Sequence, residues 1–133
     1  MSRPSKTSDL IERASRIQQA IGFLEQKIAE IKHQGEVAPP DCYVARYQAK
    51  GTKSRYWYYK LQASTPIFPK KNNQDQLSRY LHLGVSGSDA HINAVLAVAR
   101  CVQIEELSKV LSSLKESWLD LYSDDQQAGH RVH

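Results

Sequence analysis

A chain of 133 residues has the length of one domain, with room for a hydrophobic core but none for a separate catalytic domain beside it. Its 41% hydrophobic and 24% charged residues fit a folded, soluble protein and argue against wholesale disorder. The longest apolar run, Ala94 to Ala99, is far below the roughly 20 residues that span a bilayer, so no membrane partner is expected. The net charge of +4 is unevenly spread: residues 41–82 hold eight Lys or Arg against two acids, a basic block between a nearly neutral N-terminal block and an acidic C-terminal one.

Residues 1–7 are polar and expected to be disordered, and they lead into a charged helix instead of an apolar signal core, which predicts a cytoplasmic location. Asp9 and Glu12 have the spacing of a capping box. From there the apolar positions Leu10, Ala14, Ile17, Ile21, Leu24, Ile28 and Ile31 recur at alternating steps of four and three, a heptad seam over three repeats. Gly35 and the pair Pro39 and Pro40 are expected to end the helix, glycine by accepting left-handed geometry and proline by being unable to continue.

At Asp41 the period changes to two. Residues 42–49 alternate, Lys50 to Lys53 supply turn chemistry, and Arg55 to Ala63 is rich in aromatic residues that favour strands, so a hairpin is predicted. Residues 64–77, with two prolines, read as a long connection, and Ser78 to Leu83 as a third strand closed by Gly84.

Ser88 is the expected cap of a second helix. Its first part, with Ile92, Val95, Leu96, Ala99 and Val102, carries a broad apolar stripe expected to cover the sheet. Its second part, with Ile104, Leu107, Leu111, Leu114, Trp118 and Leu121, returns to heptad spacing. The domain is expected to close at about residue 122, leaving 123–133 as a disordered polar tail. The fold class is therefore α+β: two long heptad-patterned helices flanking a three-stranded antiparallel sheet. The helices pair as an antiparallel coiled coil or, since a seam specifies a helix and not its molecule, as a homodimer through the helices.

If the hairpin keeps odd positions together, one sheet face holds Tyr43, Ala45, Tyr47, Ala49, Trp57, Tyr59, Leu61, Ala63, Leu81 and Leu83 and packs on the second helix. The opposite face then combines Arg46, Lys50, Tyr56, Tyr58, Lys60, Tyr80 and His82. Cations that neutralise phosphates and rings that stack on bases suit a nucleic-acid strand. Arg46, Lys50, Lys53, Tyr56, Tyr58, Lys60 and Tyr80 are the candidate binding residues, with Lys70 and Lys71 extending the track. The same residues also suit an ordinary strand surface, with lysines guarding the edges. In that case the chain is a coiled-coil assembly module that binds protein partners through its helices.

Catalytic chemistry finds no support in spacing. There is no phosphate-cradling glycine loop, no GxSxG elbow and no carboxylate pair on a common strand, so the chain is expected not to be an enzyme. Arg46, Tyr56, Tyr58, Tyr80 and His82 include the residue types of phosphodiester chemistry but no motif that joins them. Cys42 and Cys101 lack paired spacing and the five histidines show neither HxH nor HExxH, so free thiols, no metal and no cofactor are expected.

The order of a long helix, Tyr43-x-x-Arg46-Tyr47, a Lys-Gly turn, Tyr56-Trp57-Tyr58-Tyr59, Arg79-Tyr80-Leu81 and a heptad helix resembles a family of small helix-sheet-helix proteins associated with mobile elements. The resemblance spans roughly residues 40–122. It implies an accessory role in nucleic-acid transactions. Those relatives often carry a cysteine-rich turn where this chain has Gln48 to Lys53, a departure that speaks against a metal here. The similar basic, tyrosine-rich strands of integrase arm-binding domains favour DNA over RNA, by analogy.

Overall fold

The four-and-three seam of the N-terminal region takes form as helix α1, Lys6–Gln34, in the computed structural model, which describes residues 6–49 and 56–130. Every seam residue from Leu10 to Ile31 is half-buried, and nearly all positions between them are exposed. Because α1 already runs from Lys6, Asp9 lies inside the first turn and does not cap it. It pairs instead with Arg13 at 3.5 Å, as Glu12 does with Arg16 at 3.6 Å, one turn further on in each case. Gly35 follows the helix as expected, but for a different reason. Its φ is not positive, and a Cβ there would come within 2.7 Å of the Arg100 guanidinium, which donates to the Glu36 carbonyl at 3.1 Å.

Period-two segments give β1, Cys42–Gln48, and β2, Trp57–Ala63. The connection that follows holds two short strands not anticipated from its prolines, β3 at Phe68–Pro69 and β4 at Leu77–Ser78, paired as a ribbon. Pro69 is tolerated because two-residue strands leave its missing N–H unopposed, while Lys70 N–H donates to Gln76 O at 2.9 Å. Strand β5, Tyr80–Val85, completes a three-stranded antiparallel sheet of order β1-β2-β5. Helix α2, Asp89–His130, continues through residues 123–130 of the expected tail, since Asp, Gln and Ala there offer no break before Gly129. Two long helices thus flank a mostly antiparallel sheet.

These elements group into two compact units: a helical unit up to His33 and from Ile104, and a sheet unit, Gln34–Gln103. In the helical unit, Leu10, Ile11 and Ala14 share a cleft with Trp118, Leu121 and Tyr122. Gln18 to Glu25 share another with Lys115 to Leu119, so α1 and this part of α2 run in opposite directions.

In the sheet unit, Cys42 pairs with Ala63, Val44 with Leu61, Arg46 with Tyr59 and Tyr47 with Tyr58. Even positions of β1 therefore share a face with odd positions of β2, which overturns the expectation that odd positions stay together. The gain is apolar: Cys42 and Val44 join Tyr59, Leu61, Ala63, Phe68 and Leu83 against Ala94 and Val98 of α2. A bulge between Tyr59 and Lys60 shifts the β2–β5 register by one, bringing Gly84 opposite Tyr59.

The helix face that covers the sheet also differs from the expected one. Ala94, Ala97, Val98 and Cys101 turn inward, and Ala38 N–H donates to Ala97 O at 3.0 Å. Small side chains permit that approach. Ile92, Val95, Leu96 and Val102 remain exposed.

Ser88 caps α2 as its chemistry predicts. Its Oγ accepts from His91 N–H at 3.2 Å and donates to Leu83 O at 2.8 Å, tying the helix start to β5. Gly87, at φ 79°, makes the turn and donates its N–H to His91 Nδ1 at 3.0 Å. Ser88→Ala is expected to destabilise the protein by about 1 kcal/mol, read as a lower midpoint in thermal melting with little change in helix content.

Candidate nucleic-acid interface

The face of the sheet turned away from α2 is set by the register just described. It presents Tyr43, Ala45 and Tyr47 from β1, Tyr58, Lys60 and Gln62 from β2, and Tyr80 and His82 from β5. Tyr47 and Tyr58, directly opposite across strands, stack at 5.9 Å with planes 28° apart. Tyr47 reaches across β2 to His82, edge to face at 6.0 Å, with its hydroxyl and the ring Nδ1 hydrogen-bonded at 3.0 Å. Lys60 stands at the centre, its Nζ 4.3 Å from the Tyr80 ring centroid and 5.4 Å from that of Tyr47. Arg79 flanks Tyr80 at 5.9 Å.

Among the described residues these cations have no carboxylate partners. The ion pairs among the described residues lie along the helices, as Asp9–Arg13, Glu12–Arg16, Lys27–Glu30 and Glu106–Lys109, and none involves Arg46, Lys60, Lys70, Lys71 or Arg79. The π faces around Lys60 partly satisfy its charge without neutralising it. Beside β5 a cleft of about 390 Å³ continues the surface, lined by Lys70, Lys71 and Asn72 with Tyr80 and His82.

Of the residues expected to bind, Tyr58, Lys60 and Tyr80 come together. Arg46 does not: pairing with Tyr59 puts it on the α2 side of the sheet, where its guanidinium carbon sits 4.2 Å over the Trp57 ring. Tyr56 is exposed just before β2 begins. Lys50 and Lys53 lie outside the described residues. Tyr43 and Tyr47, which parity alone places on the covered face, join the site from β1. The signal that identifies them is the apolar pair Cys42 and Val44, which matches Leu61 and Ala63 only if the tyrosines turn outward. The register also separates Arg46 from Tyr58, Tyr80 and His82.

The cysteines belong to the interior. Cys101 is buried with Ala38 and Ala97, and Cys42 is half-buried beside the sheet core. Burial, reinforced by the carboxylate of Asp41, pushes the Cys42 thiol above its ordinary pKa. Less thiolate is present at a given pH, so native Cys42 is expected to alkylate more slowly than free cysteine at mildly alkaline pH, followed by mass spectrometry with and without denaturant. Among the described residues no three His, Cys, Asp or Glu side chains are grouped to hold a metal ion, and no helix is long and apolar enough to cross a membrane.

The fold and this surface define an α+β protein with a cationic, tyrosine-lined open sheet face. No family model, curated protein or solved structure matches the chain.

Proposed function

We propose that the protein binds a single-stranded segment of nucleic acid, DNA in preference to RNA, on the open face of the sheet. The observation that carries the reading is Lys60: an ammonium with no carboxylate partner among the described residues, held over the half-buried rings of Tyr47 and Tyr80 in the middle of the open aromatic face. Such a group meets a phosphate, while Tyr43, Tyr58 and Tyr80 offer flat apolar faces to unpaired bases. Lys70, Lys71 and Arg79 continue the cationic track along β5, and the adjoining cleft has the size for a single nucleotide. The role is non-catalytic: binding by an accessory or regulatory protein. Its link to mobile elements rests on the resemblance of the aromatic motifs alone. Binding of labelled single- and double-stranded DNA and RNA across a salt series tests the proposal. Single-stranded DNA is expected to bind most tightly, with affinity falling linearly in log salt. A folded protein that binds none of these at low salt refutes it.

A further inference from the structure

His82 stands where the open sheet face meets the cleft beside β5. It lines that cleft with Lys70, Lys71 and Tyr80, and on its other side its Nδ1 is hydrogen-bonded to the Tyr47 hydroxyl at 3.0 Å. The side chain is exposed, so solvent protons reach it, and among the described residues no group is bonded to its Nε2.

The formal charges around this imidazole are all positive. Lys60 faces His82 directly in the β2–β5 pairing, Lys70 and Lys71 come from the β3–β4 connection, and Arg79 flanks the ring of Tyr80. The other titratable neighbours are the hydroxyls of Tyr47 and Tyr80. Asp75, in the same connection, is not among the residues that line the cleft.

Facing positions of an antiparallel pair hold their side chains close, and like charges there repel. A proton added to His82 in the free protein therefore meets the ammonium of Lys60. A phosphodiester laid over the pair reverses the balance: its negative charge attracts both cations and favours the protonated ring. The bond to Tyr47 survives the change. A hydroxyl both donates and accepts, so Tyr47 donates to a bare Nδ1 or accepts from Nδ1–H. The imidazolium keeps this partner and still has Nε2–H to donate to a phosphate oxygen. Histidine is also the side-chain type whose charge ordinarily changes near neutral pH.

We infer that a strand bound on the open face takes up a proton at His82, which then contacts a phosphate at the mouth of the cleft beside Lys60, Lys70 and Lys71; the inference rests on the reading that the strand lies on this face. Binding that favours the protonated ring strengthens as pH falls through the imidazole range. The affinity for a short oligothymidylate, whose bases gain no charge there, should rise on the order of tenfold from about pH 8 to about pH 5.5. The log–log salt slope should steepen over the same interval by about 0.7, one further phosphate contact. Calorimetric titration at about pH 7 in two buffers of different ionisation enthalpy should show net proton uptake by the parent protein. His82→Gln, which keeps a hydrogen-bonding group for Tyr47 but takes no charge, should show the parent's circular dichroism and lose both the uptake and the rise. His33→Gln, on α1, should keep them. A parent with the same affinity at both pH values overturns the inference and leaves strand binding standing, as does a His82→Gln variant that keeps the rise. A folded protein that binds no strand at either pH overturns both.

Discussion

Leu61→Asp is expected to remove the cooperative unfolding transition of the sheet unit. Leu61 occupies the central strand, between Val44 on β1 and Leu81 on β5, and at 5% exposure packs with Ala63, Phe68, Leu83 and Ala94. No buried polar or charged residue stands among the described residues, so the cluster offers a carboxylate neither a hydrogen-bond donor nor a counter-charge. Burying it unpaired costs several kcal/mol, a large part of the about 5–15 kcal/mol that holds a domain folded. Leu81→Asp is the control: its residue pairs directly with Leu61 but is 43% exposed on an edge strand, and the expected cost is about 1 kcal/mol or less. Urea and thermal melts of the two variants distinguish these outcomes. If Leu61→Asp melts like the parent, the core does not lie where the strand register places it.

The sequence discloses these elements unevenly, and the difference is physical. Local chemistry reads well. Ser88 caps α2 because its hydroxyl needs only its own next turn, and the seam from Leu10 to Ile31 is half-buried as its spacing predicts. Register is not local. It depends on how many residues separate Gln48 from Trp57, and the turn signals at Lys50 to Lys53 are compatible with either parity. Tyrosine compounds the ambiguity, since its apolar body and polar tip let Tyr43 and Tyr47 pass for core or surface. The covering face of α2 was obscured by size. By hydrophobic size Ile92, Val95 and Leu96 are the natural choice to bury, yet a helix lies close on a sheet through small residues, here Ala94, Ala97 and Cys101. Phe68 anchors a connection whose prolines argue against strands, and its two-residue ribbon is too short to leave a periodic trace.

The register also decides which substitutions should affect nucleic-acid binding, and in what way. With Lys60, Lys70, Lys71 and Arg79 on or beside the open face, four phosphate contacts on a single strand give a log–log salt slope of roughly −3. Lys60→Ala is expected to flatten it by about 0.7, the contribution of one phosphate on a single strand. Arg46→Ala should leave the slope unchanged, because Arg46 sits over Trp57 on the α2 side of the sheet. Tyr58→Ala removes one ring of the Tyr47–Tyr58 stack and should weaken binding by roughly 1–3 kcal/mol at every salt concentration, since stacking releases no counterions. Tyr59→Ala acts differently. Tyr59 lies on the covered face, 3.8 Å from the His91 ring, and its loss should lower the melting midpoint. Fluorescence anisotropy with a labelled oligonucleotide, repeated between about 50 and 200 mM salt, separates the three behaviours. An Arg46→Ala variant that flattens the slope as much as Lys60→Ala would put the strand across the other face. Equal salt slopes for Lys60→Ala and the parent would leave Lys60 as a structural prop between two rings, with the phosphate contacts elsewhere.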